Sequence, residues 1–370
     1  MVTETNPDHY ALLAACARIT PSTDEQSIIL AHARQIHNWD MLVNDAEGHA
    51  VAPLLYTSLR QSGFSIPVDA KRKLYALVQR TGWANELRAS ALVEIIDACN
   101  EKGIPLAVLK GSFLAHSIYP DPSLRTMSDI DLLAPPSQAQ AVQNILAELG
   151  FSVPEQASSR YMSEHHHLPG ASMQRDGLTI SVEVHHDALS GDAPASITFD
   201  NLTVPLQEYD VNGHRAKALG HQDQLRHLFH HMSEPASKLK LIWCTDIAYY
   251  ARHFYDQIDW TALSRDYPAV VNALRVVDSV MPLPVELSDF KMGNGFVPIE
   301  NAGQSIKPLS SLLRLPLRER FHGLLDPSHW WLHLYYGIPP NRSLLMTKLV
   351  RHPINILTWV YRRMRARVRS

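Results

Sequence analysis

Thiols are scarce in this sequence. Of its 370 residues only Cys16, Cys99 and Cys244 are cysteines, far apart and without a C-x-x-C pair. An odd, scattered set argues against a disulfide framework and against a thiolate zinc site. Long apolar runs are also missing, and none approaches the roughly 20 residues needed to cross a bilayer. The opening Met-Val-Thr-Glu-Thr-Asn-Pro-Asp is polar and acidic, unlike a secretory leader. With a formal charge of -3 there is no global excess of base to attract nucleic acid or membrane. Before the last ten residues no basic stripe interleaves with aromatics, which argues against a strand-binding polymerase. These absences together point to a soluble, cytoplasmic protein.

What is present is ordinary globular material, with 45% hydrophobic and 19% charged residues. The length suggests two or three packed units rather than one core. Twenty histidines are many, so mild acid should turn the net charge positive.

The first hundred residues have helical periodicity. From Lys71 to Cys99 the spacing of Leu74, Leu77, Val78, Leu87, Leu92, Ile95 and Ile96 predicts one or two long amphipathic helices, closed by Gly103. The period then changes. Pro105 to Leu109 and Ser128 to Ala134 suit short strands, Phe113 to Ile118 a helix, and Tyr119-Pro120-Asp121-Pro122-Ser123 a loop. Ser137 is expected to cap a helix to Leu149, and Leu178 to His185 alternates as a strand. A loop or edge hairpin is expected between Gly191 and Gly213, with helices at Gln222 to His231 and Leu239 to Tyr255. The pattern predicts an α+β fold: a helical region over 1–101, a mixed-sheet core over 102–215, and a helical region over 216–370. The last ten residues, Tyr361 to Ser370, hold five arginines. A solvated, frayed tail is the expected behaviour, with anionic lipid or RNA contact as the alternative.

The sharpest local feature is Ser128-Asp129-Ile130-Asp131-Leu132-Leu133. On a strand, residues two apart share a face, so Asp129 and Asp131 would point together. Two such charges about 4 Å apart repel by roughly 4 kcal/mol at an effective dielectric of 20. A bound cation reverses that term, and magnesium favours carboxylate oxygens with substrate phosphates. Solvated carboxylates on a strand edge are the plain alternative. Lys110-Gly111-Ser112 falls where a strand gives way to a helix, a place where backbone amides can receive phosphate. Its plain alternative is a helix cap.

Taken together, Leu109-Lys110-Gly111-Ser112, Tyr119-Pro120-Asp121-Pro122, Arg125 and Asp129-Ile130-Asp131-Leu132-Leu133 resemble a bacterial nucleotidyltransferase-like family of the DNA polymerase β superfamily. The close match spans about 25 residues. The resemblance implies a nucleotidyltransferase-type mixed sheet and metal-binding aspartates at Asp129 and Asp131. It implies a phosphate turn at Gly111 and Ser112 and a third metal-binding carboxylate at Glu183, within Val182-Glu183-Val184-His185. The family's usual next tryptophan is His186 here. Lys110 and Arg125 are candidate triphosphate contacts, with a structural salt bridge as the equal alternative for each. Two Mg2+ ions and a nucleoside triphosphate, ATP as the expected one, would then serve transfer of a nucleoside monophosphate with release of pyrophosphate. The acceptor would be a hydroxyl or phosphate of a small molecule, peptide or protein.

Other chemistries fit less well. His165-His166-His167 and His185-His186 invite a zinc reading, but adjacent strand residues face opposite ways. His227 and His231 share a helix face, yet Leu228 replaces the glutamate of a metalloprotease motif. His231 and Asp246 are expected to pack and hydrogen-bond. The rival functions are a catalytically silent nucleotide-binding module and an antitoxin-like interaction protein on the same fold.

Overall fold

In the computed structural model the described residues are 7–154, 165–189, 196–233, 240–290, 329–336, 338, 342–358 and 361. The chain forms two compact units. One comprises Asn6–His230 and Leu241–Asp259, the other Met1–Thr5, His231–Lys240 and Trp260–Ser370.

The larger unit begins with four short helices, α1 (Pro7–Cys16), α2 (Thr23–Ala33), α3 (Trp39–Gly48) and α4 (Ala52–Gln61). α2 starts with a capping box: the Glu25 amide donates to Ser22 Oγ and the Ser22 amide to the Glu25 carboxylate. These helices bury Leu12, Leu13, Ile29, Leu42, Leu54 and Leu55. α5 (Val68–Glu101) is a single helix of 34 residues, about 50 Å long at 1.5 Å per residue. Its buried stripe of Leu74, Leu92, Ile95, Ile96 and Cys99 follows the helical period. Gly103, at φ +67°, takes the left-handed position that ends it.

The sheet follows. β1 (Ala107–Val108) leads into α6 (Lys110–Ser117), then come β2 (Ile130–Leu133), α7 (Ala139–Glu148), β3 (Ala171–Arg175), β4 (Leu178–His185), β5 (Gln207–Val211) and β6 (His214–Ala218). The strand order is β3-β4-β2-β1-β6-β5. β2 runs parallel to β4 and antiparallel to β1, while β1 runs parallel to β6. This mixed sheet within a largely helical chain is the α+β fold expected from the pattern. Ile130, Leu132, Val182 and Val184 are buried. A further apolar cluster of Ala107, Leu109, Leu133, Ala188, Leu189, Ile197 and Leu219 closes one end of the central strands.

The expected hairpin is β5–β6, turned at Asn212 and Gly213, both at positive φ, as a two-residue turn of this hand requires. Residues 191–195 of that stretch lie outside the described residues. Ser137 does not cap α7. The cap position is Gln138, with no side-chain hydrogen bond, because a Pro135–Gln138 turn intervenes before the helix starts.

Two helices complete this unit: α8 (His221–Ser233), which belongs to it as far as His230, and α9 (Leu241–His253), buried from Ile247 through Ala251. Thr245 Oγ1 donates to the Ala17 carbonyl at 2.9 Å, tying α9 to the first helices.

The smaller unit holds α10 (Trp260–Asp266), α11 (Pro268–Val280), α12 (His329–Tyr335) and a helix over 345–358, α13, whose middle, Thr347–Arg351, is wound as a π-helix. Among the described residues no helix is long and apolar enough to cross a membrane.

Candidate active site

Two strands and one turn assemble the chemistry. β2 lies between β4 and β1. Parallel register sets Asp131 opposite Glu183, so both carboxylates leave the same face of the sheet from strands about 4.8 Å apart. On the other side the Leu109 amide donates to the Asp131 carbonyl at 2.9 Å. That bond seats Lys110 beside Asp131, and its ammonium donates to Asp131 Oδ1 at 2.9 Å. His185, two residues beyond Glu183, shares its face. Its Nε2 lies 2.9 Å from the same Asp131 oxygen and 3.6 Å from Glu183 Oε2. Asp129 sits immediately ahead of β2, half-buried, and accepts from the Ser128 hydroxyl at 3.0 Å.

The charges answer one another. Burial alone would raise the Asp131 carboxyl, but Lys110 and His185 together hold it well below the usual carboxylate range. The neighbouring His185 imidazole lowers Glu183. Burial would depress His185, yet its bond to Asp131 and the nearby Glu183 carboxylate leave it raised. Lys110 is raised as well: burial opposes its charge, and Asp131, Asp129 and Glu183 overcome that. Asp129 goes the other way, raised by burial and by the neighbouring Asp131 charge. Asp129 is thus the member of the pair whose charge is disfavoured, and Lys110 is the positive charge that balances Asp131.

At the turn, the left-handed residue is Lys110, at φ +46°. Gly111 meets a different demand. A Cβ there would stand 2.9 Å from Arg125 Nη1 and 3.0 Å from Met127 Cγ, so only glycine lets the loop pass beneath the start of α6. Ser112 is buried, and its Oγ has no hydrogen-bond partner among the described residues. A buried hydroxyl without a partner is costly, and it stands next to the exposed-amide end of a helix.

Arg125 is turned away from this cluster. Its Nη2 and Nε donate to the two Asp246 oxygens at 2.7 and 3.2 Å, and its Nη1 donates to the Thr126 carbonyl at 2.6 Å. Tyr119 Oη donates to Asp246 at 2.8 Å. The salt bridge, one of the two roles open to Arg125 from sequence, is the one its geometry displays, and Asp246 proves to be a buried hydrogen-bonding residue. Lys110 also forms an ion pair, but its partner is Asp131 itself.

His185 was weighed from sequence only within a zinc reading that was set aside, and the structure brings it against Asp131. Its signal was available: Glu183 and His185 have the same two-residue spacing that singled out the aspartates. Around it His166 and His167 bring their rings to 5.2 and 5.3 Å from the His185 ring. Burial, and then His185 and His167, push His166 down to about 3, so His166 itself is a neutral imidazole at physiological pH. Among the described residues, the metal-ligating types that converge within 4.8 Å of one another are Asp131, Glu183 and His185. Two ionised carboxylates and one imidazole suit a hard or borderline divalent cation rather than a thiophilic one. A cleft of about 460 Å³ opens elsewhere, among Ile96, Leu106, Glu208, Arg215 and Lys217. No site residue lines it, so chemistry rather than concavity locates the site.

Carboxylates on adjacent parallel strands, beside a helix that begins with Lys-Gly-Ser, fit an enzyme of the nucleotidyltransferase class, and the family match shows that class. The chain belongs to the family described as "Uncharacterised nucleotidyltransferase", whose pattern matches residues 36–280. No curated protein matches it. Among solved structures it is similar to an antigenic nucleotidyltransferase-like protein from Paracoccidioides brasiliensis, at 17% identity over 50% of this chain and 92% of that one, TM-score 0.33. It is also similar to the antibiotic-resistance factor ANT(2'')-Ia, at 15% identity over 50% of this chain and 98% of that one, TM-score 0.30. Overlaps this loose assign no substrate.

Proposed function

We propose that the protein transfers a nucleoside monophosphate from a nucleoside triphosphate, with ATP the expected donor, to a hydroxyl or phosphate acceptor and releases pyrophosphate. The observation that carries this reading is the in-register pair Asp131 and Glu183, with the Lys110 ammonium 2.9 Å from Asp131. Asp129, Asp131 and Glu183 would hold magnesium, expected as two ions, which when bound supplies Lewis-acid stabilisation of phosphate charge.

The chain's own groups do the rest. The triphosphate would rest on the amide end of α6, where the unpartnered Ser112 hydroxyl supplies a donor and Gly111 makes room for the Arg125 and Met127 side chains packed against the turn. Lys110, next to that turn, would neutralise phosphate oxygens. Glu183, held ionised by His185, would accept the acceptor's proton at its carboxylate. His185 orients Asp131 by donating to it. Arg125 belongs beneath the turn, supporting its shape.

Pyrophosphate release from a panel of nucleoside triphosphates, with and without magnesium, tests this directly. Asp131→Asn and Glu183→Gln should each lower release by roughly a hundredfold or more, and chelation should abolish it. Release unchanged in Asp131→Asn would remove the proposed role of the pair.

A further inference from the structure

The helix α13 is built inside out. Leu345, Met346, Leu349, Ile354, Leu357 and Tyr361, on and just beyond it, are 57–68% exposed, and Val350 lies beside them at 43%. Seven of the twelve large exposed apolar side chains among the described residues therefore fall between positions 345 and 361. Two of its polar side chains, His352 and Asn355, reach back to the protein. His352 is buried and its Nδ1 pairs with Tyr336 Oη at 2.9 Å, and Asn355 Nδ2 donates to Tyr335 Oη at 3.1 Å. The Arg351 guanidinium lies 4.8 Å from the centre of the Tyr336 ring. A surface helix of a globular protein normally shows the opposite arrangement, and a contiguous apolar face of this kind marks a contact surface.

Charge indicates what covers it. Residues 342–370 hold eight of the chain's 34 lysines and arginines and none of its 37 aspartates and glutamates. A second copy laid face to face would bring two strongly cationic segments together. RNA would satisfy the arginines but leave the leucines in water. An anionic bilayer surface meets both demands, since leucines enter the acyl boundary while arginines meet lipid phosphates. We propose that α13 and the basic residues after it dock the protein on anionic membrane surfaces, a property separate from nucleotidyl transfer.

The test is flotation of the full chain with phosphatidylcholine vesicles containing one third phosphatidylserine, against vesicles of phosphatidylcholine alone. Wild type should float with the anionic vesicles only, and the bound fraction should fall as salt rises. Leu349→Glu combined with Leu357→Glu changes exposed positions and leaves every arginine in place. It should cut binding by roughly tenfold or more, since burial of a single leucine is worth about that factor. Three results would overturn the proposal: no flotation of wild type; equal binding by the double variant; or, without lipid, a dimer or an RNA complex that the double variant abolishes. Because lipid binding is read without nucleotide, a failed pyrophosphate assay leaves this result intact, and the reverse holds too.

Discussion

Lys110 and Gly111 divide between them what one glycine does in many phosphate turns. Lys110 takes the left-handed backbone conformation and Gly111 supplies the space. Non-glycine residues adopt that conformation at a cost, and here the ion pair with Asp131 holds Lys110 in it. Gly111→Ala places a methyl group against Arg125 and Met127. Arg125 cannot swing aside freely, because Asp246 grips its Nε and Nη2 and the Thr126 carbonyl its Nη1. The substitution should destabilise the fold by about 1–3 kcal/mol, the usual range for overpacking, measured by urea unfolding. It should also weaken use of the triphosphate, seen as a raised KM for pyrophosphate release.

At the scale of elements, the buried Arg125–Asp246 pair joins the loop after α6 to α9 across 121 residues of sequence. Removing one partner of a buried pair leaves the other charge stranded, at about 3–5 kcal/mol. Asp246→Ala should show a loss of that size by chemical denaturation, and Asp246→Asn, which keeps acceptor and donor atoms, a smaller one. A loss below about 1 kcal/mol would mean that Arg125 finds another partner and is free to meet the nucleotide. Such long-range pairing explains what was hidden in the sequence. Leu178–His185 was legible as a strand because each residue alternates faces within its own neighbourhood. Asp131 and Glu183 were legible because local motifs carry them, and their register then brought them together. The partner of Arg125 could not be read, since nothing near it in sequence points to position 246. The strand at Ala107–Val108 is shorter than its apolar run suggested, because the left-handed Lys110 turns the chain away directly after Leu109.

For the whole molecule, the abundance of histidine governs behaviour in acid. Burial lowers His116, against a smaller opposing pull from Asp210. Burial likewise lowers His221. In each case the unfolded chain, with imidazoles near 6.5, binds protons that the folded protein refuses. The stabilisation is complete above the unfolded value and is lost as pH falls below it toward the lowered folded value. His185, raised in the fold, works in the opposite sense, so the clean measurement is a difference. His116→Asn should lose less of its thermal midpoint than wild type between neutral and mildly acidic buffer. An identical loss would show that His116 titrates in the fold as it does in the unfolded chain.

One long rod underlies all of this. Asn85 of α5 donates to the carbonyls of both Pro122 and Arg125 at 2.8 Å, and Arg88 reaches the Ser128 carbonyl at 3.3 Å. Gly82 lets the Pro122–Leu124 turn lie close, with Ser123 Cβ 3.2 Å from the place of a missing methyl. Three turns further along, Glu94 grips Arg175 of β3 in a two-pronged bond at 2.7 and 2.9 Å. The same beam therefore braces the loop that aims Asp129 and the edge of the sheet that carries Glu183. Cutting the gene between helices and sheet would not liberate a minimal catalyst; it would remove the scaffolding against which the reacting groups are aligned.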